Sequence, residues 1–530
     1  MTREEALLLL PDFIENPYHL LPIIHEPSAR SMINKFYMQL EQGQEGDPAS
    51  AALILSIAST SASFFSQNAS THDVFSSIEE AAQSSMAWRQ TALAILNEPH
   101  FFGGSLEECQ ARAILAYVVY NTEGCSARFR FLHSCSVAAA RDMSLHLIDS
   151  VVQADRSDDF LTKEIKRRLW WHLASTDWLL GQVGGPLDGT YVIQPRHFNV
   201  NRPRNLNDND LTQYDETLTY PLNVPTQMSC FLQRIRLSEI CRELMDAKAL
   251  GSLDVEITDF NTVTLLDRLF EQTLTEMPPF LKKDARIPQN APTHLAQQRD
   301  LILLCFHIRR ARLHRPFLLH DTDEPRYEPS RHQCIASART VLSLSTELLE
   351  GSSAVDQNQR FGNPLAYRAG LVISSIFLAC TILALNAGLI WNSVAPSTGD
   401  ARMSHSQPEI HAEIARACRA LVKAGEKSAF AANLLHNLMG VLKQYRVKDI
   451  DDLVESRVPP TESNNNTKYV TRNSNGAWPT YSARDESNSV SDKIDLADNF
   501  SLWNDFFTTI PELEGYDQLF AGLDSLCGPA

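Results

Sequence analysis

The sequence predicts an all-α protein, on three observations. Apolar residues recur every three or four positions through most of the first 450 residues, the period of a helix face. Strict alternation of apolar and polar residues, the mark of a half-buried strand, is scarce. Hydrophobic residues make up 44% of the 530, enough for a substantial core. That length fits about three domains, or equally one large helical bundle with tails.

The elements follow in order. Residues 6–10 form a short apolar run that Pro11 is expected to stop. Arg3, Glu4 and Glu5 precede it, so it has neither the basic start nor the long apolar stretch of a secretory signal, and the Asn-x-Ser/Thr triplets at Asn68, Asn465 and Asn499 read as chance patterns. Helices are predicted over 33–40, 51–65, 106–120 and 129–147, the last two as a pair joined around Gly124. Further helices are predicted over 228–250, 301–313, 334–349 and 412–442, the last with a stripe of Leu434, Leu435, Leu438, Val441 and Leu442. Loops are expected near 196–213, 278–292 and 395–408, where Pro, Asn, Asp and Gly accumulate.

Residues 163–177, KEIKRRLWWHLASTD, are the most informative stretch. Leu161, Ile165, Leu169, Leu173, Thr176 and Leu180 share one helix face, and Trp171, Ala174 and Trp178 line a second, roughly opposite. A helix apolar on two faces is packed on both. Arg167 stands one turn before Trp171, within reach of its ring. The basic residues read first as a solvated collar over a core. The Gly184-Gly185-Pro186 turn is expected to end the helix, because glycine tolerates left-handed backbone and proline cannot continue it.

Residues 369–391 are nearly continuous apolar sequence, with no charge between Arg368 and Asp400. At about 1.5 Å per residue such a run could span a bilayer. Ser374, Ser375, Thr381 and Asn386, the glycines 370 and 388, and the lack of a flanking basic cluster favour a buried central helix and no membrane contact.

From about Pro459 the character changes. Residues 451–492 read as a disordered linker, rich in Ser, Asn and Thr over 461–491. Residues 493–530 interleave seven acids with Phe500, Trp503, Phe506, Phe507, Tyr516 and Phe520, and from Ile494 onward contain no Lys, Arg or His. Acids keep aromatics solvated and free to dock, the composition of an activation segment; Phe500, Trp503 and Phe507 align on one face of a helix formed on binding. A C-terminal helix packing back on the bundle is the other reading.

A formal net charge of −17 repels phosphate backbones, and no basic stripe offsets it, so no direct nucleic-acid binding is expected. The ten cysteines are scattered, none as C-x-x-C, which fits a reducing compartment. No nucleophile elbow, zinc-protease helix, Walker loop or dinucleotide fingerprint is present, and His307 and His314 lie too far apart on one helix for an i, i+4 metal pair. These residues therefore point to no catalytic role, no metal and no cofactor.

The order and spacing of several motifs together resemble the fungal-specific transcription factor domain, the middle homology region of fungal zinc-cluster regulators. Arg167-Arg168-x-Trp170-Trp171 leads to Asp177, then to Gly185-Pro186 and a Pro/Asp-rich stretch; Leu313-His314-Arg315-Pro316-Phe317-Leu318 follows, then Cys334 with Ala338-Arg339, while His19 to His25 is similar to the family's opening segment. Two positions depart from the family pattern: Trp178 and Gly185 stand where relatives often carry arginine. The resemblance implies a regulatory domain over 1–450 and a transcriptional regulator in the nucleus, shared in part with the cytoplasm. It controls pathway genes such as a secondary-metabolite cluster. The family's zinc cluster is absent from this chain, leaving either a regulator without its own DNA reader or a missing upstream module. The partners implied are the transcription machinery or its co-regulators, with a DNA-binding partner protein, a small-molecule effector and a second copy of the chain left open. The alternatives are a non-catalytic helical scaffold and, behind it, an unrecognised enzyme or membrane-anchored sensor.

Overall fold

The computed structural model describes residues 1–15, 20–65, 74–98, 104–151, 158–183, 187–211, 217–248, 257–318, 324–350, 370–393, 406–426, 428–444, 447 and 450. Fourteen α-helices and several 3₁₀ turns, without a strand, make up the described residues. They gather around two large hydrophobic cores.

The first core is built by α1 (Arg3–Glu15), α2 (Glu26–Glu41), α3 (Pro48–Ser63), α4 (Ile78–Leu96), α5 (Leu106–Glu123), α6 (Ala127–Asp142) and α7 (Phe160–Leu180), with one side of α8 (Ser229–Asp246). Small residues let α3 lie close to α4 and α5. Its buried hydroxyls are satisfied within the helix and across to α4: Ser56 and Thr60 donate to carbonyls one turn back at 2.7 Å, and Ser59 donates to the Ser85 carbonyl at 2.9 Å. Side-chain caps from Asp47, Ser77, Ser105, Ser126 and Asp159 start α3 to α7.

The other side of α8 joins the second core with α9 (Phe260–Glu276), α10 (Leu295–His314), α11 (Glu328–Glu350), α12 (Gly370–Ser393), α13 (Ser406–Gly425) and α14 (Ala429–Gln444). The helix α12 is long and apolar enough to cross a membrane, yet 78% of its apolar window is buried inside the protein, so its length is used as the axis of a core. It touches α10, α11, α13 and α14, and reaches across to α5. That crossing is close: a Cβ on Gly370 would come within 3.0 Å of the Tyr120 carbonyl oxygen.

Several expectations need correction. Helix α1 runs straight through Pro11 to Glu15. Interior proline costs about 3 kcal/mol, but Leu9, Leu10 and Phe13 are fully buried and outweigh it. The sequence reading passed over α4, which is rich in Ala and Ser, and α9, whose buried stripe is only Val263, Leu266 and Phe270. The single helix expected over 412–442 is two, broken at Gly425, whose position lies against Ala432. The helix expected over 129–147 stops at Asp142, where Ser144 takes a left-handed conformation (φ 59°) before a short 3₁₀ turn. Pro408 belongs to the first turn of α13 rather than to a loop, a position where a missing N–H is harmless.

Candidate functional site: a tryptophan helix and the segment it clasps

Helix α7 is buried almost all round. Arg168 is wholly inaccessible, and Trp170, Trp171 and Trp178 are 1%, 5% and 1% exposed, so the basic residues are no solvated collar. The face bearing the tryptophans holds residues 187–211, which run antiparallel to the helix. At the N-terminal end, Glu164 accepts from the Arg204 backbone N–H (3.0 Å), and Arg168 donates to Asp208 (2.6 Å). In the middle, the Trp171 indole donates to the Asn201 carbonyl (2.9 Å). At the C-terminal end, the Trp178 indole donates to the Ile193 carbonyl (2.8 Å), and one oxygen of Asp177 accepts from both Val192 N–H (2.8 Å) and Ile193 N–H (2.7 Å). Phe198 fills the space between, its ring 5.5, 5.6 and 6.3 Å from those of Trp170, Trp171 and Trp178.

The spacing explains the motif. Polar groups recur at each turn of one face; Glu164, Trp171, Asp177 and Trp178 each meet a backbone group of the segment, and Arg168 meets the Asp208 carboxylate. Arg167 does not lie on the Trp171 ring as expected. Its guanidinium forks onto both oxygens of Asp149, and the oxygen 2.9 Å from Nε also accepts from Asn201 N–H (2.7 Å). Burial pushes the Asp149 carboxyl up, but the bonds from Arg167 and Asn201 and the charges of Arg167 and Lys163 outweigh it and hold it below the usual range. Burial dominates at Glu164 and Asp177, and raises both. The cation that stacks on a tryptophan of α7 is Arg242 of α8, 5.3 Å from Trp178.

The glycine that closes α7 is Gly181. A Cβ there would stand 2.2 Å from the Met245 sulfur and 2.6 Å from the Thr190 carbonyl oxygen. Gly184, Gly185 and Pro186, expected to end the helix, come after its end at Leu180 and lie outside the described residues, as does the whole of 451–530 with Phe500, Trp503, Phe506, Phe507 and Phe520.

The second motif is a knot of α9, α10 and α11. His314 lies 3.0 Å from Asp267 and 3.0 Å from the Ser330 hydroxyl, and Arg310 donates twice to the same aspartate (2.6 and 2.8 Å). Burial opposes ionisation of Asp267, but the bonds and charges of Arg310 and His314 bring its carboxyl down to about 2. Arg315 is buried and opens the 3₁₀ turn that ends the helix, Pro316 is its second residue, and Phe317 packs edge-on against Phe260 and tilted against Tyr327. The two motifs sit in different cores, so the structure does not bring them into one site. They are linked by Arg312 pairing with Asp188 and by Arg234 of α8, which donates to His172 and Thr176 of α7.

Sequence reasoning missed Glu164, Asp149, Asp208 and Arg234. Only Glu164 left a signal, standing one turn before Arg168. Every charged group of the clasp is matched by a protein partner, which suits holding a segment and leaves no nucleophile or base poised for reaction. Among the described residues no group of three or more His, Cys, Asp or Glu side chains could hold a metal ion.

Comparison with known proteins places this geometry. The model of the fungal specific transcription factor domain matches residues 12–252, from within α1 to just past α8, and so covers the first core and the whole clasp. The chain is 37% identical to transcription factor TAS2 of Pyricularia oryzae over 572 aligned positions, covering all of this chain and 74% of that protein. The chain belongs to the fungal specific transcription factor domain family. It is a transcriptional regulator. Similarity extends to the probable transcription factor lepB of Aspergillus flavus, at 32% identity over 99% of this chain and 92% of that one. The agnestins biosynthesis cluster transcription factor AgnL11 of Paecilomyces divaricatus is 29% identical over 83% of this chain and 62% of its own length. The His314 motif falls beyond the family match but within the full-length alignment to TAS2.

In this family member the clasp makes a specific demand on Asp177. One carboxylate oxygen accepts both amides, so an amide side chain can do the same. Asp177→Asn is expected to leave the thermal midpoint nearly unchanged. Asp177→Ala orphans the buried Ile193 N–H and releases that of the exposed Val192, and is expected to cost about 1–3 kcal/mol, read as a shift in the denaturant midpoint.

Proposed function

We propose that the chain acts in the nucleus, shared in part with the cytoplasm, as the regulator of a biosynthetic gene cluster. Its helical bundle (1–450) would control an activation segment at 493–530 across the 451–492 linker. The observation that carries this reading is similarity along most of the chain to transcription factors, one of them named for a biosynthesis cluster. The composition of 493–530 supports the activation role: aromatics threaded among acids, without a basic residue after Lys493. The reading assigns the chain no reaction and no cofactor. It gives DNA contact to a partner protein, in keeping with the net charge of −17. Co-regulators or the transcription machinery would receive the aromatic segment, and a small effector acting on the bundle would set its availability. A second copy of the chain is a further partner in this reading.

The test is a reporter assay with the full chain fused to a heterologous DNA-binding domain. Output is expected to rise severalfold over the domain alone, and replacing Trp503, Phe506 and Phe507 with Ala should abolish the rise. An inactive intact fusion, at matched protein level, would favour the scaffold reading instead.

A further inference from the structure

A cavity of about 50 Å³ lies on the seam between the two cores. Tyr120 at the end of α5, Arg309 and Arg312 of α10, Ser374 and Leu378 of α12, and Phe430 of α14 are among the residues that wall it. It has room for about four waters or one small organic group.

The two arginines differ. Arg312 is neutralised by Asp188. Arg309 is only 5% exposed, and no described carboxylate pairs with it. Its terminal nitrogens make long bonds to the carbonyls of Cys305 (3.3 Å) and Leu179 (3.4 Å), and its Nε has no hydrogen-bond partner among the described residues. A second guanidinium adds to the field: Arg234 is held by His172 and Thr176, and burial together with the charge of Arg309 brings it down to about 10, while nearby Cys305, Tyr117 and Tyr120 act in the opposite direction. A buried guanidinium facing a cavity without a counter-ion is strongly unfavourable unless an anion supplies one.

We infer that this seam binds a small carboxylate-bearing molecule, with Arg309 as its counter-ion and the apolar wall of Leu378 and Phe430 around its remainder. A carboxylate suits the fork of a guanidinium and matches a single uncompensated charge, whereas the higher charge of phosphate would need further donors in a largely apolar wall. The inference rests on reading the chain as a regulator that answers to an effector. Its position gives that effector a means of action, because an occupant touching α5 on one side and α10 and α12 on the other ties the two cores together.

Thermal unfolding of the full chain tests this with acetate, propionate and benzoate as probes, against benzamide and inorganic phosphate. At least one carboxylate is expected to raise the midpoint by about 2–4 °C, with no response to the two controls. Arg309→Met should abolish the shift and leave the ligand-free midpoint unchanged or higher, because it removes an uncompensated charge. Leu378→Phe, which keeps the charge and fills the space, should abolish it too. The proposal is overturned if no carboxylate acts, if benzamide or phosphate acts equally, or if Arg309→Met unfolds or keeps the shift. These readouts need no transcription: a silent reporter beside an intact carboxylate shift would sink the regulatory reading and leave the site standing.

Discussion

Replacing Arg168 with Met is expected to lower the stability of the first core by about 3–5 kcal/mol, the usual cost of breaking one side of a buried ion pair. The residue is inaccessible, and its guanidinium lies 2.6 Å from Asp208 and 3.5 Å from Glu164. Without it, the two buried carboxylates lose the cation they share, and one of them, Glu164, is already raised by burial. Methionine fills most of the volume, so the loss reports the broken ion pairs rather than a cavity. The variant should also release the clasped segment, because Asp208 and the Glu164–Arg204 bond anchor its far end. Limited proteolysis is expected to cut within 196–211 before it cuts any helix. Adding Glu164→Gln to Arg168→Met should recover part of the loss, since it removes one of the two like charges. A denaturant midpoint within about 1 kcal/mol of the parent, with 196–211 still protected, would show that the network is dispensable.

This prediction also shows where the sequence was legible and where it was not. The period of Leu161 to Leu180 and the paired tryptophans sufficed to place a two-faced helix, because periodicity is a local property. The partner of its second face was not readable. Glu164, Trp171, Asp177 and Trp178 bind backbone amides and carbonyls, which every residue carries and no composition reveals. The Asn/Asp run near 205–210 read as a loop, which it is, but the choice of Asp208 as the Arg168 partner is set by tertiary geometry. Pro11 misled for the converse reason: a local rule was overridden by the tertiary burial of its own neighbours Leu9, Leu10 and Phe13. Gly181 and Gly184 look alike in sequence, and only the approach of Met245 and Thr190 marks the first as irreplaceable. Arg309 left no mark at all. An arginine one turn from Arg312 on an apolar helix becomes informative only when one is seen to have a carboxylate and the other is not.

Acid should loosen the junction of α6, α7 and α8 well before the carboxylates titrate. Arginine can only donate, so the contact from Arg234 requires His172 Nδ1 to accept, which fixes that imidazole as neutral. Burial, then the charges of Arg234 and His133, push the His172 pKa far down; burial and Arg234 lower that of His133 to about 4. Both folded values lie below the unfolded 6.5. The stability they contribute is therefore complete above about pH 6.5 and is lost as pH falls towards the folded values, because only the unfolded chain takes up the protons. For His133 alone the shift corresponds to about 3 kcal/mol. Glu164 and Asp177 have raised values and act with the opposite sign, gaining stability as they protonate, while Asp267 loses its share only between its ordinary 3.8 and about 2. A fall in the unfolding midpoint between pH 6.5 and 5 is then expected from histidines held down by burial; His307, also held near 4, contributes in the second core, and His25, His146 and His294 are lowered as well. The double variant His133→Gln with His172→Gln should flatten part of that fall, since glutamine offers Arg234 an acceptor and takes up no proton. An unaltered slope in the double variant would place the acid sensitivity outside this junction.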